Sequence, residues 1–386
     1  MDMPWTRRIG GLADISALGA ANMGGSAISA VFWLYIASLL GPEKYGEINY
    51  YIAAAVVGAV FCTYGSGHVL VVYMAKGQSQ LWPAMLIAAG SSAAASIALY
   101  VAFLEPSISA YLVGYVIFIM GGSALLGMKM YVKYSATLVL QKVCLVAFAI
   151  LLYQAMGPVW IVVGAGLSML VFAWPIARYV RDSGVTLEGF RGRIQFMTDN
   201  YVRSIAGTLD MHLNKLVIGS ILGFEQLGGY HLGFQVVAAL MIIPSVVFQY
   251  VLPQDASGRG HPTMKKAAVA ASAVTTSLGI LLAPVAIPAF FPEFAGSVSV
   301  VQIMSLTIIP QTVIAMRSAT FLAVENGRIL LVSALLSTSI MIPLIYVLGS
   351  AYGLPGVAAA MVVASVGAMS VLVIRNRFMV MGGPGP

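Results

Sequence analysis

Residues 36–46 read Ile-Ala-Ser-Leu-Leu-Gly-Pro-Glu-Lys-Tyr-Gly, and residues 218–228 read Ile-Gly-Ser-Ile-Leu-Gly-Phe-Glu-Gln-Leu-Gly. The two stretches are 182 residues apart, which is close to half of the 386-residue chain. The identical pairs are Ile36/Ile218, Ser38/Ser220, Leu40/Leu222, Gly41/Gly223, Glu43/Glu225 and Gly46/Gly228. In both stretches an apolar helix end is followed by glycine and a short acidic turn. A motif repeated in this way in an apolar chain is typical of membrane proteins built from two related helix bundles, as many transporters are.

The composition indicates a membrane environment. Hydrophobic residues make up 60% of the chain and charged residues 9%, and the mean hydropathy is +0.93. Soluble domains carry about a quarter charged residues, so a soluble enzyme is excluded. The net charge of +7 lies mostly in short loops between apolar segments, which favours membrane topology over nucleic-acid binding. The two cysteines, Cys62 and Cys144, fall in apolar segments, and we interpret them as packing residues.

The apolar segments predict an all-α polytopic membrane protein with about twelve transmembrane helices, because each span needs about 20 mostly apolar residues. We expect two pseudo-symmetric six-helix lobes, at residues 1–180 and 198–386, joined by a loop at 181–197. The second lobe includes a short tail. The predicted spans are 17–40, 46–67, 81–104, 108–128, 135–156, 159–180, 199–222, 228–252, 265–291, 296–323, 328–350 and 354–374.

The charges at the span ends alternate in a way that supports this topology. Fifteen basic residues fall on one side, and Lys44 with five glutamates falls on the other. The fifteen are Arg7, Arg8, Lys76, Lys129, Lys133, Arg178, Arg181, Arg191, Arg193, Arg259, Lys265, Lys266, Arg328, Arg375 and Arg377. Basic residues collect on the cytoplasmic side of membrane proteins. We therefore predict a multi-pass plasma-membrane protein with both termini in the cytoplasm.

Ionisable residues inside the spans are the candidate functional groups, because a charge near the bilayer centre costs at least about 2.5–3.5 kcal/mol. They are Lys142, Arg203, Lys215, Arg317, Asp199, Asp210 and His212. Lys142, Arg203 and Arg317 lie a turn or two from the cytoplasmic ends of their spans, so each either lines a cavity or extends to the interface. Asp210 is too short to reach the interface and is expected in a cavity or a polar network.

The seventh span concentrates these groups. At about 100° per residue, Asp199, Arg203, Asp210 and Asn214 lie within roughly 60° of one another, whereas Lys215 points to another face of the helix. Four polar groups on one stripe are expected to face a cavity or another helix. A cavity that also received Lys142, Lys215 and Arg317 would be cationic and would favour an anion such as phosphate.

Two segments resemble a known family. They are Leu39-Leu40-Gly41-Pro42-Glu43-Lys44-Tyr45-Gly46, and a second segment that runs from Leu209-Asp210 through Lys215-Leu216-Val217-Ile218-Gly219 and Leu222-Gly223 to Gly228-Gly229-Tyr230. These are similar to the polysaccharide biosynthesis, O-antigen flippase-like family of the multidrug/oligosaccharidyl-lipid/polysaccharide exporter superfamily. Asp210 matches the acid usual in the family's seventh-span motif, whereas Ser38 stands where the first motif often carries arginine.

The resemblance implies a V-shaped, two-lobe transporter that moves a lipid-linked oligosaccharide on a polyprenyl phosphate or diphosphate from the inner to the outer leaflet. From the ionisable residues inside the spans, together with Asn214, we predict substrate contacts from Arg203, Asp210, Asn214, Lys215, Lys142 and Arg317. Asp199 and Asp210 are candidates for ion coupling. The expected partners are membrane lipid, this substrate and glycan-assembly enzymes, with no nucleic acid, and a monomer is expected.

Two other function classes are weighed against this interpretation. A proton- or sodium-coupled drug or cation antiporter of the same superfamily would need acids within the spans of the first lobe, where we find them only at the edges (Asp14 and Glu47). A membrane enzyme would need a polar extracytoplasmic loop, and every outer loop is short. The four histidines have no metal-ligand spacing. We therefore predict a non-enzyme with no catalytic residue, no metal and no cofactor.

Overall fold

The structure of the protein is a computed structural model. It describes residues 4–64, 66–75, 82–183, 194–242, 244–248, 251, 262–323 and 327–381. These residues form helices and short connections, with no strand among them. The all-α prediction is confirmed.

The first half of the chain begins with a long helical element, α1, at Pro4–Thr63, which is interrupted at Gly41. It continues through α2 Ser66–Ala75, α3 Trp82–Phe103, α4 Pro106–Gly127 and α5 Tyr131–Met156. Next come α6 Trp160–Ser168, a 3-10 turn at Met169–Phe172, and α7 Ala173–Ser183.

The second half also consists of helices and short connections where the structure describes it. It contains α8 Ile194–Leu222, α9 Phe224–Leu240, α10 Pro262–Phe290, a 3-10 helix at Pro292–Ser297, α11 Val298–Ser305, α12 Ile308–Ala323 and α13 Gly327–Met381. The last of these is interrupted at Gly353. Residues 244–248 are also helical.

The described helices fall at all twelve predicted spans. Eight apolar stretches within them are long enough to cross a membrane, and those at Asn22–Thr63 and Arg328–Arg375 are each long enough for two crossings. The remaining two predicted spans correspond to α8 and to α9 with residues 244–248. Several boundaries differ from the prediction. The second span extends into α2 past Tyr64, where φ is positive, and the predicted 181–197 loop is partly helical because α7 runs to Ser183 and α8 starts at Ile194.

Gly41 and Gly223, the matched glycines of the repeated motif, have nearly the same backbone conformation. Gly41 has φ 71° and ψ 174°, and Gly223 has φ 89° and ψ 172°. A positive φ is strained for any residue with a side chain, so glycine allows a new helix to begin directly after the old one ends. The sequence repeat is therefore also a repeat in backbone geometry.

The chain divides into two compact units. One contains residues 1–32 and 51–208, and the other contains residues 33–50 and 209–386. In the first unit, Phe172 and Leu125 are fully buried and pack with Leu138. In the second, Ile218, Tyr230, Val300, Met304 and Val357 belong to one larger apolar core. Residues 33–50, the first copy of the repeated motif with its flanks, thus belong to the same compact unit as the second copy.

Within this second unit the two copies of the motif contact each other reciprocally. A Cβ on Gly46 would overlap the carbonyl oxygen of Phe224, and a Cβ on Gly228 would overlap the carbonyl oxygen of Pro42. Position 46 corresponds to position 228, and 42 to 224, at the 182-residue offset. In each copy of the motif, the glycine therefore contacts the same backbone position of the other copy. Tyr50 adds a hydroxyl contact of 3.1 Å to Ser220.

Candidate functional site

The candidate site is built on α8, the helix of the seventh predicted span. At 1.5 Å per residue its 29 residues extend about 43 Å, enough to cross a bilayer. Two of its predicted site residues, Asn214 and Lys215, are buried, with 5% and 7% of their surface exposed. Both lie in the second unit. They sit in an apolar part of the helix, Met211–Leu222, so their polar groups need partners inside the protein.

Asn214 has partners for both ends of its amide. Its Nδ2 donates to the Tyr230 hydroxyl of α9 at 2.6 Å, and its Oδ1 accepts from the backbone N–H of Lys215 at 2.8 Å. The Tyr230 hydroxyl in turn donates to the sulfur of Met361 in α13 at 3.8 Å. Asn214 therefore links three helices of the second unit through one buried chain of contacts.

Lys215 is a buried cation whose described contact is aromatic. Its Nζ lies 5.5 Å from the centre of the Phe234 ring, close enough for a cation–π interaction. Among the side chains that the structure describes, the one ion pair is Lys44–Glu47 at a helix start, so none of the described carboxylates neutralises Lys215. A buried charge without a counter-ion is costly, which makes this position a candidate for binding an anion.

Besides Lys215 on α8, a second buried titratable residue, His231, lies on α9, and it was not predicted from the sequence as a site residue. It is 4% exposed, its Nδ1 has no hydrogen-bond partner among the described atoms, and its Nε2 lies 3.4 Å from the Gln235 amide. Its ring is 5.4 Å from that of Tyr45. The sequence contains one sign of this site. Gln235 follows His231 by four residues, which places two polar side chains on the same face of an apolar helix. We call Asn214, Lys215, Tyr230, His231 and Phe234 the α8–α9 cluster.

A cavity of about 300 Å³ lies beside this cluster, within the second unit. Its polar lining consists of neutral amides and hydroxyls, and the rest is aliphatic, aromatic or thioether surface. The lining residues are Met211, Asn214, Phe234, Val237, Ala238, Met241, Thr307, Gln311, Ser337, Met341, Met361 and Ser365. Its volume is at the lower end of the range for ligand pockets. Neutral amides and hydroxyls can both donate and accept, as a polyhydroxylated or phosphorylated group requires.

The other predicted site residues are distributed over the chain. Lys142 is half-buried in α5, and its aliphatic stem lies beside Gly25 within the first unit. Arg317 is half-buried in α12 and lines a separate groove with Lys265 and Lys266. Of the predicted residues whose side chains are described, the structure therefore brings together only Asn214 and Lys215. The side chains of Asp199, Arg203 and Asp210 lie outside the described residues.

The described part of the chain contains no group of three His, Cys, Asp or Glu residues that could hold a metal ion. Among those described residues, His231 of the cluster and His212 belong to no such group.

The comparisons with known proteins connect this chain to solved transporters. No protein-family model and no curated protein sequence matches it. A multidrug resistance MATE family transporter of the MOP superfamily, in an inward-facing conformation, matches with a TM-score of 0.68 and 14% identity, over 97% of this chain and 100% of that one.

Two further structures widen the comparison. The lipid II flippase MurJ matches with a TM-score of 0.63 and 13% identity, over 94% of this chain and 81% of that one. A MOP superfamily transporter from Pyrococcus furiosus, described as having a binding pocket of reversed polarity, matches at 0.62 and 16%, over 95% of each chain. These identities are low and the coverage is nearly complete, so the likeness is one of fold. The chain has the two-lobe, twelve-helix fold of the MOP superfamily transporters.

Proposed function

We propose that this protein is a membrane transporter that flips a lipid-linked oligosaccharide, carried on a polyprenyl phosphate or diphosphate, from the inner to the outer leaflet. The observation that carries the proposal is the buried Lys215, which has no described carboxylate partner. A positive charge next to the cavity would repel an inorganic or organic cation and attract an anion. A phosphate group would supply a counter-charge for the lysine.

The surroundings of Lys215 fit the rest of such a substrate. Phe234 lines the cavity, and its ring lies 5.5 Å from Lys215 Nζ, so a group in the cavity would lie close to the lysine. Gln311, Ser337 and Ser365 offer neutral donors and acceptors to sugar hydroxyls. The apolar remainder suits a lipid-carried molecule. In this proposal Lys215 attracts the phosphate, and Asn214 orients it.

The predicted residues outside the cluster complete the proposal. Arg203 and Lys142 are further candidates for binding the phosphates, and Asp199 and Asp210 are candidates for ion coupling. The direction of transport, from the inner to the outer leaflet by alternating access, follows from the family resemblance together with the proposed cytoplasmic position of both termini. The remaining proposed partners are glycan-assembly enzymes that supply or consume the lipid-linked substrate.

A proton- or sodium-coupled antiporter of drugs or cations is the second candidate function. It is favoured by the multidrug transporter among the structural neighbours. Against it, the described glutamates lie at helix ends and turns, as Glu105 and Glu293 do, and not in the middle of a span. A cation site would then have to rely on Asp199 and Asp210.

The test is a flipping assay in liposomes with a fluorescent lipid-diphosphate oligosaccharide. Wild type is compared with Lys215→Met, which keeps the volume of the side chain and removes its charge, and with Arg203→Ala and Asp210→Asn. Lys133→Gln is the matched control, because it removes an exposed positive charge from the first turn of α5.

We expect transfer by wild type and by the control, and at least a tenfold loss in Lys215→Met. A wild type that fails to transfer the lipid but exports an organic cation in exchange for protons or sodium would replace the flippase by the antiporter. Equal flipping by wild type and Lys215→Met would remove Lys215 from the mechanism.

A further inference from the structure

A second positively charged site lies between α10 and α12, away from the α8–α9 cluster. A groove of about 420 Å³ is lined there by Pro262, Lys265, Lys266, Val269, Val313, Met316 and Arg317. We call it the basic groove. Lys266 is exposed, and Lys265 and Arg317 are half-buried. No carboxylate is among the described residues that line it.

The two helices are held in register at the groove. Lys265 Nζ donates to the Thr320 hydroxyl at 2.9 Å, so the first turn of α10 is level with the last turns of α12. Arg317 lies three residues before Thr320, about 4.5 Å further along the helix. The three cations therefore surround one opening at the same end of the two helices.

The character of the groove changes along its depth. Val269 lies one helical turn after Lys265, and Val313 lies one turn before Arg317. Both valines are therefore deeper in the span than the basic residue beside them. Met316 also lines the groove and is 3% exposed. The groove is thus basic at the end of the helices and apolar toward the membrane interior. A phospholipid has the same order of groups, a phosphate followed by acyl chains.

We propose that the basic groove binds the phosphate of an anionic phospholipid of the bilayer, with one acyl chain against Val269 and Val313. The positive-inside distribution assigns this end of the helices to the cytoplasmic leaflet, where anionic lipids attract basic residues. The inference is independent of the transported substrate. It makes this edge of the second unit a site for a resident lipid rather than for the cargo.

The test measures lipid retention by the purified full-length protein. The protein is incorporated into mixed nanodiscs of phosphatidylglycerol and phosphatidylcholine, extracted, and delipidated in steps, and the bound lipid is identified by native mass spectrometry. Wild type is compared with the double variant Lys266→Gln/Arg317→Gln. The matched control is Lys129→Gln/Lys133→Gln, which removes one positive charge from the turn between α4 and α5 and one from the first turn of α5.

We expect wild type and the control to retain one phosphatidylglycerol, and the groove variant to retain it at least tenfold less, since each basic residue contributes to attraction of the anionic headgroup. The wild-type protein alone also tests the proposal, because its retention of the two lipids can be compared directly. If it retains phosphatidylcholine as strongly as phosphatidylglycerol, the proposal is overturned. Displacement of the bound lipid by millimolar inorganic phosphate would indicate a soluble anion as the true ligand. Displacement by a lipid-diphosphate oligosaccharide, but not by added phosphatidylglycerol, would assign the groove to the transported substrate.

Discussion

Lys215 combines two features that are unfavourable for folding, burial and a positive charge without a described counter-ion. The Phe234 ring offsets part of the cost, since a desolvated cation–π contact is worth about 2 kcal/mol. This is less than the effective penalty of burying an ion, which is several kcal/mol. A residue that opposes stability at its position is a good candidate for function, because charges inside membranes mark substrate and ion pathways.

The first prediction is that Lys215→Met does not destabilise the protein. Removing a buried charge that has no described counter-ion, while keeping the side-chain volume, should raise the free energy of unfolding by about 1 kcal/mol. The measurement is thermal unfolding in detergent, followed by tryptophan fluorescence. A marked fall in the melting temperature would mean that Lys215 has a structural role and would weaken its assignment to substrate binding.

The second prediction is that replacing the neighbouring residue, Asn214, lowers the free energy of unfolding. Asn214→Leu would remove the 2.6 Å hydrogen bond that its Nδ2 donates to the Tyr230 hydroxyl, and a hydrogen bond of this kind contributes about 0.5–1.5 kcal/mol to stability. The same unfolding experiment should therefore give a lower melting temperature for Asn214→Leu than for Lys215→Met. Equal melting temperatures for the two variants would show that the contact with Tyr230 contributes little.

At the scale of the elements, the repeated motif has a structural explanation that the sequence alone did not supply. The identities at Gly41/Gly223 could be interpreted as helix ends, and the positive φ angles confirm this. The identity at Gly46/Gly228 had no such interpretation. The structure explains it as a close helix contact, in which each glycine lies against the backbone of the other copy. A contact between segments 182 residues apart is not visible in local patterns.

The third prediction follows from this symmetry. Gly46→Ala and Gly228→Ala should lower the free energy of unfolding by similar amounts, about 1–3 kcal/mol each, because each added methyl group would meet a rigid carbonyl rather than a flexible side chain. Gly90→Ala in α3 is the matched control, since a Cβ there meets nothing within 4 Å and alanine favours helix. Thermal unfolding of the three variants tests this. If Gly90→Ala lowers the stability as much as the other two variants do, close packing does not explain the losses at Gly46 and Gly228.

For the whole molecule, the sequence predicted the helical class, the number of helical segments and the repeat, because these depend on long apolar runs and on glycine punctuation. It also predicted a helix where α8 lies. It did not select His231 or Gln235, whose relation to Tyr45 and α8 comes from tertiary packing. The grouping of Arg317 with Lys265 and Lys266 was missed for the same reason, since these residues are about 50 positions apart in the chain and on different helices.

The last prediction tests the orientation of the whole chain, which rests on the charge distribution. Single cysteines are introduced by Gly296→Cys and Lys133→Cys, in a background where Cys62 and Cys144 are replaced by alanine. Both positions are exposed, and a side chain at Gly296 meets nothing within 4 Å. A membrane-impermeant maleimide should label position 296 in intact spheroplasts and position 133 only in inverted vesicles. The reverse pattern would place the fifteen basic residues outside the cell, against the positive-inside rule. It would also move the basic groove to the outer leaflet, where a phospholipid site of this kind would face a different lipid population.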